Sequence, residues 1–538
     1  MAKLTGGQAL VHYLENEGVK IVFGMPGINV LHIYDALYDS SIRHVLVRHE
    51  QSAAFMAEAY ARVTGNLGVC LTTAGPGLTN AVTGMATAYS NSVPVLVLAG
   101  EIPSTLIGKG KGVLHEIDQT SIAGAAAKQA CCVLNAGDIL PVIQEALEGL
   151  KSGRPRPFYV GLPEDILEAT DDFPLHTGRT HVERTPTTDD RSVEAASSLL
   201  SQSRFPVILA GGGVARAEAS FELVQIAEFL YAPVVTTVNG AGSVPSDHPL
   251  FLGQSRMTGA VDEVFKRADV MLAVGTRFSS MSMKNWTLKV PENLIHVDID
   301  PEAIGKNYPA KVSIQGDAKS VLLQIFNRLR IAPRIDRSDW RRTAEGLKLS
   351  AWKALKSTHP TEVSTVMDIR NALERDAIVV ADTTILAYWM QRIFPVYKPH
   401  TFLYPSGYVA MGYALPAAIA SKIAFPNRQV IVVCGDGGFM ITCQELATAV
   451  ENGTSIPIIL HNNEGFGILK HFQQEYFGKR YFSVDFKNPD FKKLAESFGA
   501  EGVTVGSLDQ VGPSLREALQ ADRPTIIEIR TPLAPPPR

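Results

Sequence analysis

The stretch "VVCGDGGFMITCQELATAVENGTSIPIILHNNEGFG", residues 432–467, decides the fold. An apolar run closes on Gly435-Asp436-Gly437-Gly438, a helix-length segment follows from about Ile441, and a second apolar run ends on Asn462-Asn463. Strand, helix and strand in that order make a parallel βαβ unit, and the glycines fall at the carboxyl edge of its sheet, where open α/β sheets bind ligands. Backbone N–H groups of glycines can approach an anion closely, which suits a phosphate. Asp436 stands where its carboxylate can hold a hard cation on that phosphate, and Asn463 at the neighbouring strand end can add an amide oxygen. One carboxylate, one amide, a loop carbonyl, phosphate oxygens and water make the oxygen octahedron that Mg²⁺ requires. Gly-Asp-Gly by itself reads as a plain turn. With Asn462-Asn463 at the adjoining strand end it reads as a Mg²⁺-diphosphate site.

The same alternation of short β-branched runs and helical stretches continues along all 538 residues. Examples are "PVLVLAG" (94–100), "PVILAGG" (206–212), "VMLAVG" (270–275) and "IHVDID" (295–300). Two polar stretches, 168–190 and 332–346 running on to Pro360, read as linkers, giving domains at 1–168, 190–331 and 360–538. The unit at 68–100 echoes the one at 429–463 in length and punctuation, so the first and last domains are expected to be related. A net charge of -4 gives no reason to expect nucleic acid, and no apolar run reaches the ~18–20 residues that span a bilayer. The opening "MAKLTGGQALVHYLENEGVK" reads as an amphipathic helix, neither a signal nor a transit peptide. Cysteines 70, 131, 132, 434 and 443 show no C-x-x-C and read as reduced thiols, so a cytoplasmic location is expected.

Gly435-Asp436-Gly437 followed by Asn462-Asn463 resembles the cofactor signature of thiamine-diphosphate-dependent enzymes, in the branch of acetolactate synthases and 2-oxo acid decarboxylases. The resemblance runs in family order from about residue 4 to 530. It implies an α/β fold of three doubly wound parallel-sheet domains: pyrimidine-binding first, diphosphate-binding last, a Rossmann-like domain between. It implies thiamine diphosphate bound at Gly435, Asp436, Gly437, Gly438 and Asn463, with Mg²⁺ held by Asp436 and Asn463 side chains and the Gly465 carbonyl. "VRHEQSAAFMAEAYARVTG" (47–65) matches the Arg-His-Glu block, whose glutamate, here Glu50, meets the cofactor pyrimidine and would need burial to raise its pKa. In "SGYVAMGYALP" (406–416), Met411 would wedge between the two cofactor rings and the Val409 carbonyl would meet the 4′-amino group. Relatives carry the site between subunits, so a homodimer or homotetramer is implied.

The substrate side matches less closely. Leu114-His115-Glu116 stands in the polar loop 108–119 where acetolactate synthases carry Phe-Gln-Glu. A titratable ring there can deliver a proton to the carbanion-enamine left by decarboxylation and end the reaction as an aldehyde. Ile28 stands where benzoylformate decarboxylases have serine, and Ile468, Leu469 and Phe472 would line the acyl pocket unless they are core. Gly211 to Gly213 and Asp298 suit a dinucleotide, but "LGQSRMTGAVDE" (252–263) departs from the flavin-binding stretch of acetolactate synthases, so FAD is less favoured than ADP or no occupant. The leading expectation is cleavage of a 2-oxo acid followed by acetolactate synthase-like carboligation. The alternatives are a decarboxylase releasing an aldehyde, of the guanidino-oxopentanoate type, and a silent flavin- or nucleotide-binding regulatory subunit, against which the presence of Glu50 counts.

Overall fold

The computed structural model describes residues 2–174, 189–257 and 259–537. Among them, three six-stranded sheets, parallel throughout, form in succession along the chain. The first runs Arg43–Leu46, Ile21–Gly24, Gly68–Thr72, Val95–Glu101, Phe158–Pro163, Gln129–Cys132 across its width. The last runs Phe402–Leu403, Ile378–Ala381, Val430–Gly435, Pro457–His461, Thr525–Ile529, Glu501–Val505. Counted in chain order within each sheet, both have the strand order 2-1-3-4-6-5, so the echo between 68–100 and 429–463 extends to the whole topology. The middle sheet, from Pro206 to Gln315, has the order 3-2-1-4-5-6 of dinucleotide-binding folds. The Rossmann-like expectation is met.

The central strands, flanked by helices on both faces, are nearly all apolar because so few of their residues face water. Val430–Gly435 and Val95–Glu101 are buried at every position. Between the outer sheets, helix Glu50–Thr64 packs on Pro76–Asn91 and on Ala414–Ala424. Both partners of the second contact are alanine-rich, and small side chains let the axes approach. In the first contact, a Cβ at Gly84 would lie 2.3 Å from the Ala54 Cβ, so the crossing of Glu50–Thr64 with Pro76–Asn91 admits no side chain there.

Several local expectations are corrected. Residues 2–5 form a strand, antiparallel to Thr170–Phe173, and the N-terminal helix spans only Gly6–Asn16, capped by Thr5. That pairing takes the start of the expected first linker, whose residues 175–188 lie outside the described residues. The expected second linker is mostly the 21-residue helix Ser338–Thr358. Few of its residues are buried, Trp340, Ala344 and Leu355 among them, too sparse an apolar stripe to mark a helix in sequence. The helix after Gly435 begins at Asp436, not near Ile441.

Candidate active site

At the carboxyl edge of the last sheet, Asp436 opens its helix and is buried. Its Oδ1 accepts from Gly437 N (2.9 Å), and its Oδ2 from Gly465 N (3.2 Å) and Asn488 Nδ2 (2.8 Å). Asn488 also donates to Asn462 Oδ1 at 2.9 Å, and Asn462 donates to the buried Glu528 at 2.7 Å. Asn462 is thus a structural tie, while Asn463 is exposed, its amide nitrogen against Gly467. Gly465 turns its N–H, not its carbonyl, to Asp436. A Cβ at Gly437 would lie 2.8 Å from the Phe466 ring, and one at Gly438 3.1 Å from the Asp382 carboxyl carbon. The strand end therefore keeps bare backbone next to an oxygen-rich cluster, a cradle that fits a diphosphate and a hard cation.

Asp382, at the end of strand Ile378–Ala381, organises the neighbouring loop. Its Oδ1 accepts from Thr383 N (2.6 Å) and its Oδ2 from Gly412 N (3.0 Å) and Ala414 N (3.2 Å). Burial raises its pKa to about 6, against the lowering effect of those N–H groups. The loop so held carries Met411 and Val409, the latter at φ 59°, a left-handed conformation that β-branched residues rarely adopt. Such strain at a loop facing a candidate cofactor cradle is a mark of a functional constraint.

The first sheet presents Glu50 at the head of its helix, buried, with Oε2 accepting from Asn80 Nδ2 at 3.0 Å. Burial, and after it the Glu50 charge, pushes the Cys70 thiol well above its ordinary value. His115 and Ile28 come to the same edge: the His115 ring Nδ1 lies 3.2 Å from Asn29 Oδ1. Ile28 is exposed, and helix Gly467–Tyr476, bearing Ile468, Leu469 and Phe472, has no buried residue, so these side chains are not core. Among the described residues, no hydrogen bond joins Glu50 or His115 to Asp436 or Asn463. Asp382, Asn29, Asn80 and Asn488 escaped the sequence reading. Asp382 carried a signal, since "AIVVAD" ends an apolar strand on aspartate as "IVVCGD" does.

A cavity of about 1130 Å³ lies among the three sheets, lined by Gly212, Gly213, Asp298, Arg154, Arg216 and Arg277. Burial and neighbouring cations lower the Arg216 and Arg277 guanidiniums to about 10.

Two related α/β domains thus present, one a strand end of bare glycine backbone beside the buried Asp436 carboxylate, the other the buried Glu50. Family comparison agrees in all three parts. The thiamine pyrophosphate enzyme models match as N-terminal TPP binding domain over residues 4–122, central domain over 193–325 and C-terminal TPP binding domain over 382–529. The chain belongs to the thiamine pyrophosphate enzyme family, and is an acetolactate synthase-like thiamine-diphosphate-dependent carboligase/decarboxylase. It is 37% identical to the probable acetolactate synthase large subunit of Methanocaldococcus jannaschii, covering 99% of this chain and 94% of the relative. It is also 37% identical to the probable 2-ketoarginine decarboxylase of Pseudomonas aeruginosa, over 98% and 94%. To the acetolactate synthase of Mycobacterium bovis it is 36% identical, over 98% and 88%. Among the described residues, no helix is long and apolar enough to cross a membrane.

Proposed function

We propose that this enzyme removes CO₂ from a 2-oxo acid and returns a proton through His115, releasing an aldehyde, with Mg²⁺ as the second cofactor. The observation that carries the reading is the His115 ring, fixed by Asn29 at the same sheet edge as Glu50. Thiamine diphosphate, when bound, supplies the electron sink that makes loss of CO₂ accessible. Asp436 and Asn463 would hold Mg²⁺ by side-chain oxygens and Gly465 by its carbonyl, once the peptide turns from its present N–H contact. Gly435, Gly437 and Gly438 would admit the diphosphate. Met411 and Val409 would shape and orient the cofactor, and Glu50 would hold its pyrimidine. Ile28, Ile468, Leu469 and Phe472 would border the acyl group; their exposure here supports a site completed by a second copy, as a homodimer or homotetramer. Free cysteines at all five positions support a cytoplasmic setting.

The second reading, transfer of the acyl fragment left by loss of CO₂ to another 2-oxo acid, is favoured by the full-length similarity to acetolactate synthases. The arginines of the central cavity suit nucleotide phosphates and do not select FAD over ADP; visible absorbance of the purified protein distinguishes a flavin. Incubation with thiamine diphosphate, Mg²⁺ and pyruvate, 2-oxobutyrate or 2-ketoarginine tests the main reading. Aldehyde should be the chief product and His115→Gln should abolish it. Acetolactate-type product from both forms would replace the first reading with the second.

A further inference from the structure

The loop that carries His115 is stapled in place by its own side chains. The Glu116 carboxylate accepts from the backbone N–H groups of Gly110 (2.8 Å), Gly112 (2.7 Å) and Val113 (3.0 Å). Buried Gln119 donates to Gly100 O and accepts from Gly75 N, each at 2.8 Å, tying the loop to strand Val95–Glu101 and to the start of helix Pro76–Asn91. His115 itself has φ 69°, and a Cβ on Gly75 would lie 2.9 Å from its Cβ. The backbone at His115 therefore has little freedom, and what remains to be set is the ring.

Asn29 sets it. This residue is buried, and its amide is oriented by partners other than the histidine. Its Nδ2 donates to Glu164 Oε2 at 3.3 Å, and its Oδ1 accepts from Thr73 Oγ1 at 3.3 Å. Turning the amide over would set its oxygen against the Glu164 carboxylate, acceptor against acceptor. Oδ1 consequently faces His115, and because an amide oxygen only accepts, the hydrogen between them must sit on Nδ1.

We propose that Asn29, aligned by Glu164, is a positioning residue that locks His115 in the Nδ1–H tautomer and leaves Nε2 as the atom that gives and takes the proton. This rests on the role of His115 given above. After CO₂ has left with its carbon–carbon bond broken, the electron pair remains on the former keto carbon. The Nε2–H bond of the imidazolium breaks as a carbon–hydrogen bond forms there, and the ring returns to its neutral Nδ1–H form. A solvent proton recharges Nε2, so each turnover consumes one proton and yields one CO₂ and one aldehyde. Asn29 favours that neutral form, because its Oδ1 keeps a hydrogen on Nδ1 when Nε2 gives its proton away.

The test reads the tautomer directly in the cofactor-free protein. Solid-state ¹⁵N spectra of histidine-labelled protein, with His115 assigned by its loss in His115→Gln, should show one protonated Nδ1 and one unprotonated Nε2 at alkaline pH. Asn29→Ala should shift a major fraction of that signal to the Nε2–H pattern while the other histidine signals stay put. The exchange Asn29→Asp with Glu164→Gln keeps an acceptor toward His115 and a donor toward position 29, and should restore the wild-type pattern. In the loaded enzyme, Asn29→Ala should lower kcat for aldehyde release by about 10-fold or more, with KM within about twofold. An Nε2–H ring in the wild type, an unchanged spectrum in Asn29→Ala, or no restoration by the exchange overturns the proposal. If instead His115→Gln leaves aldehyde release intact, the role of His115 falls while the spectra still decide the role of Asn29.

Discussion

The Tyr413 phenol donates to the Glu58 carboxylate across 2.6 Å, inside the contact between the first and last domains. Asn91 Nδ2 and Arg62 Nη1 donate to the other oxygen of Glu58, at 2.9 and 3.3 Å. All four side chains are buried. Glu58 lies on the helix that Glu50 opens, and Tyr413 directly precedes the helix that follows Met411 and Gly412. One hydrogen-bonded cluster thus fixes how the two site-bearing segments stack. Tyr413→Phe removes a bond to a charged acceptor and should cost about 1.5–3 kcal/mol of stability. Glu58→Ala leaves Arg62 buried without its counter-charge and should cost about 3–5 kcal/mol. Denaturant unfolding of both variants checks the ranking, and equal stabilities would mean that water satisfies the cluster.

Asp382 makes stability depend on pH. Its pKa in the folded chain is about 6, against 3.8 for an unperturbed aspartate, so the folded state binds this proton more tightly than the unfolded one. Its contribution is therefore greatest below about pH 4, declines as pH rises to about 6, and is flat above. The rise from 3.8 to about 6 corresponds to about 3 kcal/mol over that window. In Asp382→Asn the decline should vanish, so the stability difference from wild type should change steadily from pH 4 to 6. A difference independent of pH would show that Asp382 stays ionised.

Much of this architecture was legible because it rests on local chemistry. Apolar runs such as 94–100, 206–212, 270–275 and 429–435 marked strands in each of the three sheets, and Gly435-Asp436-Gly437 with Asn462-Asn463 marked the strand ends that converge. What stayed hidden depends on distant partners. Asn488 reaches Asp436 across 52 residues, and Asn29 reaches Glu164 across 135, with no periodicity or turn signature to announce either. Helix Ser338–Thr358 was missed for the opposite reason, since its polar faces leave almost no apolar stripe. The helix beginning at Asp436 was misjudged because Gly437 and Gly438 are poor helix formers, overridden here by close packing against Phe466 and Asp382.

Glu50 should act through its acidity, not its bulk. Glu50→Gln keeps the size of the side chain and an oxygen for Asn80 Nδ2, now 3.0 Å away, so the fold should survive. It loses the ionisable proton, and kcat should fall by at least about 100-fold with little change in substrate KM. Asn80→Ala, which only frees the carboxylate to rotate, should cost about 10-fold. Steady-state kinetics at saturating cofactor separates the two, and a fully active Glu50→Gln would remove Glu50 from the chemistry.

Asn488 should govern cofactor retention without touching substrate. It bridges Asp436 Oδ2 and Asn462 Oδ1, at 2.8 and 2.9 Å, and so holds the carboxylate toward the neighbouring strand end. Asp436→Ala removes the carboxylate that opens the cradle helix and should abolish Mg²⁺-dependent binding of thiamine diphosphate. Asn488→Ala leaves that carboxylate present but loosely oriented, and should weaken Mg²⁺ affinity by about 10–100-fold, as losses of outer-shell partners do. Excess Mg²⁺ should restore turnover in Asn488→Ala and not in Asp436→Ala. Titration of each variant with Mg²⁺ at fixed thiamine diphosphate, followed by calorimetry, reads the difference. If excess metal rescued both variants, the cation would have to be held by other oxygens, and Asp436 would be left as a helix-opening residue that accepts from Gly437, Gly465 and Asn488 without holding metal.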